Sequence, residues 1–562
     1  MTDRIKICAL GGLDEKGRDC YIVEINDDLF VLDCGISFPD KSLPGIDCMI
    51  PNPDYVIKNK HRLKAYLITH GHDESMSGVK YFIDKAPAPI YCSFDTKTCM
   101  EGQAKLHHLK PNFDFRVVNP SESVKIAGHE VRFFQVPHNA RNSSGVAIWT
   151  DRGWIIYTSD FIVDFSVNEP GYYLDMKALE EIALKKTFVL MGESKAVTRS
   201  GYCSPKHKSK SFMEKHFRAA NKRIFISTSW QNVYRINEII KLCATHKKKL
   251  YPYNEYARMI LREYLKSNPG AIKGVEVLNS EDLLRVRKQD LVVLVLGQGK
   301  EIFKEIIKLA NNENLDRRIR LDNEDCFIVA SIPLQTQETI CTRSVDALYR
   351  TGCEVVWLKG KDVSSMHAQK DDLKFMLSLL RPAYYLPVRG NFVNMMANAR
   401  LALNMEIGLT HMNVFILDNG SQLIFDDTSR PSIITPERAG IETAPILVDG
   451  DGYTSSDDSI VDERMRMSED GVIVIASAVS LKEKAIIAGP DCQMRGFVYI
   501  KEAEPLLKVV SNMYIDEINE ALKGDKFDAK AVIQTIQDRA RRFIKRENGR
   551  EPCVLPIIQI LE

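Results

Sequence analysis

The sequence of 562 residues has almost no net charge, no long apolar run and no paired cysteines. Lysine and arginine number 76 and aspartate and glutamate 75, a formal net charge of +1, so a surface for nucleic acid has to be a local patch. The longest nearly apolar stretch, around 471–481, is far shorter than the roughly 20 residues of a membrane span. The 13 cysteines include no C-x-x-C pair, as is typical of reduced thiols in a cytosolic protein. We therefore expect a cytoplasmic protein with no membrane association.

The length and composition are typical of a soluble protein with several domains. Apolar residues make up 44% and charged residues 27% of the chain, and its length corresponds to about three domains of ordinary size. The opening stretch "MTDRIKICALGG" has charges within its first six residues and no apolar core, so we expect no signal peptide.

The pattern of apolar and polar residues changes along the chain and indicates five segments. Short apolar runs such as "CYIVEI" and "WIIYTSD" predict a sheet domain over 1–205. Strand and helix patterns then alternate over 206–355, which predicts a parallel sheet. The runs "AYYLPVRG" and "NVFILDNG" predict strands of the first domain again, over 356–426. A Pro/Thr/Ser-rich stretch, 427–445, is typical of a linker, and 446–562 predicts a small α+β domain.

Several predicted strands end in a polar residue, and these residues form one candidate metal site. His70 and His72 flank Gly71, whose missing side chain allows the tight loop in which both rings converge. His138 and Asp160 follow two later strands. Three imidazoles and a carboxylate suit zinc or a similar divalent ion. A lone histidine is more often structural, so the prediction depends on the whole group.

The same order of residues, together with "ICALGGLDEKGRDCYIVE" and "YTSDFIVDFS", resembles the metallo-β-lactamase superfamily and, more narrowly, the ribonuclease J family of its β-CASP branch. The resemblance extends over essentially the whole chain. It implies an αββα sandwich, a β-CASP α/β domain inserted into it, and a C-terminal oligomerisation domain after a linker. The family's activities are endonucleolytic cleavage and 5′-to-3′ exonuclease digestion of RNA.

The resemblance also implies roles for individual residues. Asp33 is expected to orient a metal-ligating histidine rather than to bind metal. The remaining assignments are a first metal site at His70, His72, His138 and Asp160, residual or vestigial catalytic residues at Glu74, Glu193 and His367, and substrate-binding residues at Ser364, His367 and Arg389.

Two ligands of the family's second metal are replaced in this chain. The family pattern H-x-H-x-D-H ends here in Glu74-Ser75, and its P-V-H-G-E pattern becomes "PVRGN", with Arg389 at the histidine position. Serine is a poor zinc ligand, and arginine stays protonated and has no acceptor. We expect Arg389 to replace part of the second ion's charge by pairing with Glu74 or Asp160, or to hold an RNA phosphate.

These substitutions predict one zinc ion at most and a chain like the degenerate second paralogue of the family. Such a protein would bind RNA with weak or no nuclease activity and assemble with an active ribonuclease J or as a homodimer. The alternative is a competent endoribonuclease and 5′-3′ exoribonuclease that uses one ion or rebuilds the second site through Glu74. A small-molecule hydrolase is disfavoured by the inserted segment 206–355.

Overall fold

The computed structural model describes residues 2–39, 43–106, 108–167, 169–218, 221–313, 318–333, 337–428, 430–450, 452–454, 458–496, 500–524 and 527–561. Within these ranges no helix combines the length and the apolar character needed to cross a membrane. By its internal contacts the chain divides into two units, one comprising 1–38 and 49–446 and the other 39–48 and 447–562.

The first part of the chain forms mostly strands, as its alternating apolar runs predict. Its elements are β1 (Ile5–Gly11), β2 (Cys20–Ile25), β3 (Asp28–Leu32), β4 (Cys48–Ile50), α1 (Asp54–Lys58), β5 (Leu63–Leu67), α2 (Asp73–Met76), α3 (Val79–Phe82), β6 (Ile90–Cys92), α4 (Phe94–Leu106), β7 (Phe115–Val117), β8 (Ser123–Ile126), β9 (His129–Gln135), β10 (Ser144–Thr150), β11 (Gly153–Tyr157), α5 (Met176–Ala183) and β12 (Thr187–Glu193).

The middle of the chain alternates helices and strands. Its elements are α6 (Lys210–Arg218), β13 (Arg223–Ser229), α7 (Val233–Thr245), β14 (Lys249–Pro252), α8 (Glu255–Ser267), β15 (Leu291–Gly297), α9 (Gly299–Ala310), β16 (Asp325–Val329), α10 (Glu338–Arg350) and β17 (Glu354–Trp357).

The remainder of the chain completes the first unit and forms the second. Its elements are α11 (Lys370–Leu380), β18 (Tyr384–Val388), α12 (Phe392–Leu403), β19 (Gln422–Phe425), β20 (Ser432–Ile434), α13 (Pro436–Ala439), β21 (Ile446–Asp449), β22 (Gly452–Thr454), α14 (Asp458–Glu469), β23 (Val472–Ser480), β24 (Ala485–Arg495), α15 (Ile500–Leu522), α16 (Ala529–Asn548) and β25 (Cys553–Leu561).

Two sheets pack face to face in the first unit. One has the strand order β20-β19-β1-β2-β3-β5-β6-β7 and the other β18-β12-β11-β10-β9-β8. Ile7 and Val23 of the first sheet share a buried cluster with Val146 and Val189 of the second. Because side chains alternate along a strand, Cys8, next to Ile7, points to the opposite face and another cluster.

Helices cover the outer faces of both sheets. Val56 of α1 and Phe82 of α3 pack with the outer face of the first sheet. Leu179 of α5 and Leu377 of α11 pack with Leu190 on the outer face of the second. The order helix, sheet, sheet, helix confirms the predicted αββα sandwich.

A third sheet, with the order β14-β15-β13-β16-β17, is parallel throughout. Its strand β15 reads LVVLVLG and every residue in it is buried, as expected when helices cover both faces of a parallel sheet. Helices α7 and α8 pack on one face and α9 and α10 on the other. The predicted inserted α/β fold is therefore confirmed.

Three details differ from the sequence-based expectation. "NVFILDNG" (413–420) forms only a single bridge, between Tyr385 and Val414, because apolar character alone does not supply a pairing strand. Strand β17 runs past residue 355 as an edge of the parallel sheet. The stretch 427–445 contains β20, which pairs with β19, and α13.

The second unit contains a small mixed sheet with the order β24-β23-β25. Strand β23 pairs antiparallel with β24 and parallel with β25. Ile473 and Ile475 of β23 point into a core with Tyr514 of α15 and Ile536 of α16. The α+β character predicted for this segment is confirmed.

Candidate metal centre

The predicted strand-end residues come together at one edge of the sandwich. His70 follows β5, His138 follows β9 and Asp160 follows β11. His72 is the residue that precedes the short helix α2. His70, His138 and Asp160 are fully buried and His72 is almost so. The topology thus gathers groups that are up to 90 positions apart in the chain.

The three imidazoles face one another around a common point. Ring centroids are 4.6 Å apart for His70 and His72, 5.0 Å for His70 and His138, and 4.8 Å for His72 and His138. Asp160 Oδ2 lies 3.7 Å from His70 Nε2 and 3.8 Å from His138 Nε2. Ligands of a tetrahedral zinc ion lie roughly 3.4 Å apart for bonds of about 2.1 Å. The spacing therefore fits one such ion.

Each histidine is held by a hydrogen bond on its outward nitrogen. His72 Nε2 donates to Gln231 O at 3.1 Å, and His138 Nδ1 donates to Met366 O at 2.7 Å. The outward nitrogens of the two rings are thus engaged, and the inward His72 Nδ1 and His138 Nε2 face each other at 3.4 Å. An outward nitrogen held by a carbonyl and an inward nitrogen facing the other ligands is the pattern of metal-ligating histidines.

The third histidine is oriented through a hydroxyl. His70 Nδ1 lies 2.9 Å from Thr69 Oγ1, which in turn lies 2.9 Å from both carboxylate oxygens of Asp33. Thr69 donates its proton to Asp33 and accepts from His70, so the inward His70 Nε2 is also unprotonated. Asp33 is thus connected to His70 through Thr69, and His70 Nδ1 also lies 3.3 Å from Ser159 Oγ.

Burial sets the charge state of this group. Burial lowers the pKa of both His70 and His138 well below the usual value for histidine. The rings are therefore neutral at neutral pH, the form in which imidazole binds metal. Burial alone raises the pKa of Asp160, but Arg389, Lys195 and His367 together lower it well below the usual value.

Arg389 lies directly beside the histidine and aspartate cluster. Its NH2 nitrogen lies 2.9 Å from Asp160 Oδ2 and 3.1 Å from Ser75 Oγ, and NH1 lies 3.0 Å from Asp33 Oδ2. NH2 also lies 2.7 Å from Asp19 Oδ2, an ion pair without hydrogen-bond alignment. The side chain is 0% exposed, so it does not reach an RNA phosphate in this structure.

Of the two carboxylates predicted to pair with Arg389, Asp160 pairs with it and Glu74 does not. Glu74 instead lies 3.7 Å from His72 Nδ1 and 3.6 Å from Lys195 Nζ. Burial alone lowers the pKa of Arg389, and the surrounding carboxylates led by Asp160 raise it well above its usual value. The guanidinium is a permanent positive charge inside the site.

The backbone around this charge is unusual. Asp33, Ser159 and Arg389 all adopt the left-handed conformation, with φ of 56°, 55° and 57°. Residues other than glycine rarely adopt it and cluster at functional sites when they do. The three residues contact each other through Arg389 NH1, which lies 3.4 Å from Ser159 Oγ.

A second group of polar residues adjoins Asp160. His367 Nδ1 lies 3.2 Å from Glu193 Oε2 and 3.5 Å from Asp160 Oδ1. Burial alone lowers the pKa of His367, but Asp160 and Glu193 raise it to about 9, so it is positively charged at neutral pH. Ser364 contacts Lys206 O and Gln369, and neither partner belongs to the cluster.

Four residues that contact the charged groups of this site were not identified from the sequence. Thr69, Asp19 and Tyr157 contact the buried charges, and Lys195 Nζ lies 3.0 Å from Asp160 Oδ2. Asp19 and Tyr157 lie within the two motifs that carry the resemblance, and Lys195 follows "GES" directly. For Asp19 and Tyr157 that position in the motifs was the available signal, whereas Lys195 carried none.

A sandwich of two sheets between helices, with a histidine and aspartate cluster at the strand ends, defines a protein of the metallo-β-lactamase fold. Residues 459–560 match the family Ribonuclease J C-terminal domain. Along its whole length the chain is also similar to full-length ribonuclease J proteins.

Two relatives and one solved structure illustrate this. Ribonuclease J 2 of Streptococcus pyogenes is 28% identical over 560 residues, with 99% of each chain covered. Ribonuclease J2 of Bacillus subtilis is 26% identical over 559 residues, again with 99% of each chain covered. A protein of unknown function from Enterococcus faecalis V583 superimposes with a TM-score of 0.50 at 16% identity, covering 75% of this chain and 100% of the other. That likeness concerns the fold alone.

Proposed function

We propose that this protein is a cytoplasmic, ribonuclease J-type component of RNA degradation and processing that binds RNA and has weak or no nuclease activity alone. The names of its full-length relatives support the substrate class. The observation that carries the low activity is Arg389, which lies 2.9 Å from Asp160 and 3.1 Å from Ser75 where a second ion would need ligands.

The chemistry of the donor set supports a single divalent ion, zinc being the best candidate. His70, His72, His138 and Asp160 would hold it, and when bound it acts as a Lewis acid and lowers the pKa of a water. Two-ion phosphodiester hydrolysis needs a second ion to clamp the leaving oxygen. Arg389 does not take that role, because it is fully buried with both terminal nitrogens engaged.

The acid–base groups around the centre are retained but are occupied with one another. Glu193 Oε1 accepts from the backbone N–H of Phe161 and of Ala368, both at 2.9 Å, and its other oxygen contacts His367. Glu74 is paired with Lys195. We propose that Glu193, His367 and Glu74 are residual or vestigial catalytic residues that no longer drive fast proton transfer.

The second unit supports a role in assembly. Its sheet buries one face on α15 and α16, while on the opposite face Leu555 and Ile557 are exposed, Ile557 by 52%. Their partners in register, Val474 and Ala476, lie on the same face. An exposed apolar face of this kind is typical of a protein interface. We propose that 446–562 binds an active ribonuclease J or a second copy of this chain.

The test of the activity proposal combines metal content with RNA cleavage. The purified full-length chain is analysed by inductively coupled plasma mass spectrometry and incubated with a 5′-monophosphorylated RNA. We expect one equivalent of zinc or less and little or no cleavage. His138→Ala should lose the ion, and His129→Ala, outside the cluster, should keep it. Two equivalents with turnover would instead establish a competent nuclease.

A further inference from the structure

Lys195 is a second cation at the metal centre, and it differs from Arg389 in being accessible. Its Nζ lies 3.0 Å from Asp160 Oδ2 and 3.6 Å from Glu74 Oε1. Arg389 NH2 contacts the same oxygen of Asp160 at 2.9 Å. Two protein cations on one carboxylate oxygen provide a charge of +2, equal to that of a divalent ion.

Solvent exposure separates the roles of the two cations. Arg389 is 0% exposed, whereas the side chains of Lys195, His367 and Glu74 are 18%, 19% and 24% exposed. His367 approaches Asp160 through Oδ1 and Lys195 through Oδ2. These three residues therefore form the accessible rim of the centre.

We propose that Lys195 is the substrate-facing cation of this centre and contacts a non-bridging oxygen of an RNA phosphate, together with His367, while Arg389 is the structural cation beneath it. This inference rests on the proposed RNA-binding function. A lysine ammonium suits such a contact because it is a compact charge on a flexible stem with three donors. Its Nζ contacts Asp160 at 3.0 Å while its side chain remains 18% exposed.

The contact has a measurable electrostatic signature. A lysine that neutralises one phosphate of a single strand contributes about 0.7 to the slope of log affinity against log salt concentration. Its loss weakens binding at low salt by about tenfold or more, the usual effect of removing a hydrogen bond to a charged group. A lysine that only neutralises Asp160 would change neither quantity directly.

The experiment measures binding of a short 5′-monophosphorylated oligoribonucleotide to the full chain by fluorescence anisotropy over a salt series. Lys195→Met is compared with Lys374→Met, a surface lysine on α11 paired with Asp371. We expect an affinity loss of about tenfold and a salt slope smaller by about 0.7 for Lys195→Met alone. Lys195→Arg, which keeps the charge, should bind within about threefold of the unchanged chain.

The outcomes separate this inference from the proposed function. Unchanged affinity and slope in Lys195→Met would refute the role of Lys195 while leaving RNA binding intact. A loss of bound metal in that variant would also refute it, because Lys195 would then act by supporting Asp160. If Lys195→Met fails to fold, Lys195→Gln takes its place, with the same expectation. If the unchanged chain does not bind the oligonucleotide, the proposed function fails and this inference with it.

Discussion

Arg389→Met is the substitution whose effect follows most directly from the structure. Methionine fills much of the same volume but removes a charge that contacts Asp19, Asp33 and Asp160 in a fully buried site. Removing one partner of a buried ion pair costs about 3–5 kcal/mol, because the remaining charge is left uncompensated. We expect a loss of stability of at least about 3 kcal/mol in the first unit.

The chain offers a convenient probe for this measurement. All 4 tryptophans lie in the first unit, so unfolding in urea followed by tryptophan fluorescence reports on that unit. Arg400→Met, at an exposed position on α12, is the matched control and should be near neutral. Combining Arg389→Met with Asp19→Asn should cost less than the sum of the two single changes, because the second removes a charge that the first leaves unpaired.

The pH dependence of this effect has a definite sign. Burial raises the pKa of Asp160, and Arg389 is the largest of the causes that hold it well below the usual value. A depressed pKa contributes stability above the unfolded-state value of about 4, which is lost as pH falls through the folded-state value. The difference between Arg389→Met and the unchanged chain should therefore be largest near neutral pH and shrink in acid. A stability loss below about 1 kcal/mol at neutral pH would refute the reasoning.

The remaining predictions concern the ion and the assembly face. Thr69→Val breaks the connection from Asp33 to His70 and should lower zinc affinity by about 10–100-fold in a chelator competition. Because burial lowers the pKa of His70 and His138, protons compete weakly and bound zinc should stay constant between about pH 8 and about pH 6. Ile557→Asp should reduce self-association or association with an active ribonuclease J in analytical ultracentrifugation.

Each of these predictions has a control and a contradicting result. Thr98→Val removes another buried hydroxyl on α4 and should leave zinc affinity unchanged. If both variants lower zinc affinity equally, the connection from Asp33 through Thr69 to His70 does not support zinc binding. Release of zinc near pH 7 would show that the histidines are not buried ligands. Leu184→Asp, in the first unit and 80% exposed, is the control and should leave association intact. If Ile557→Asp also leaves association intact, the second unit is ruled out as the interface.

The strands and the histidine and aspartate cluster followed closely from the sequence. "CYIVEI" coincides with β2, and "WIIYTSD" covers β11 and ends at Asp160. Such runs are recognisable because a buried strand selects branched and aromatic residues, and a polar residue after it has to meet another polar group or water. The fold class was predicted on this basis and by resemblance, and the structure confirms it.

The partners of the buried charges did not follow from the sequence. Arg389 was identified as a replaced ligand, but its pairing with Asp19 and Asp33 depends on loops that are more than 350 positions away in the chain. Lys195 was not singled out, since one lysine after "GES" has no periodicity or spacing that marks it. Local patterns do not encode contacts made when separate strands close into one site.

The sequence by itself determined which chemistry is available: three histidines and an aspartate suited to one ion, and a serine and an arginine unsuited to a second. That follows from the donor atoms of the residue types alone. Only the tertiary structure decided how the two cations are used, because exposure and pairing are properties of the packed site. Arg389 is fully buried against Asp160, whereas Lys195, on the same carboxylate, is 18% exposed at the rim of the site.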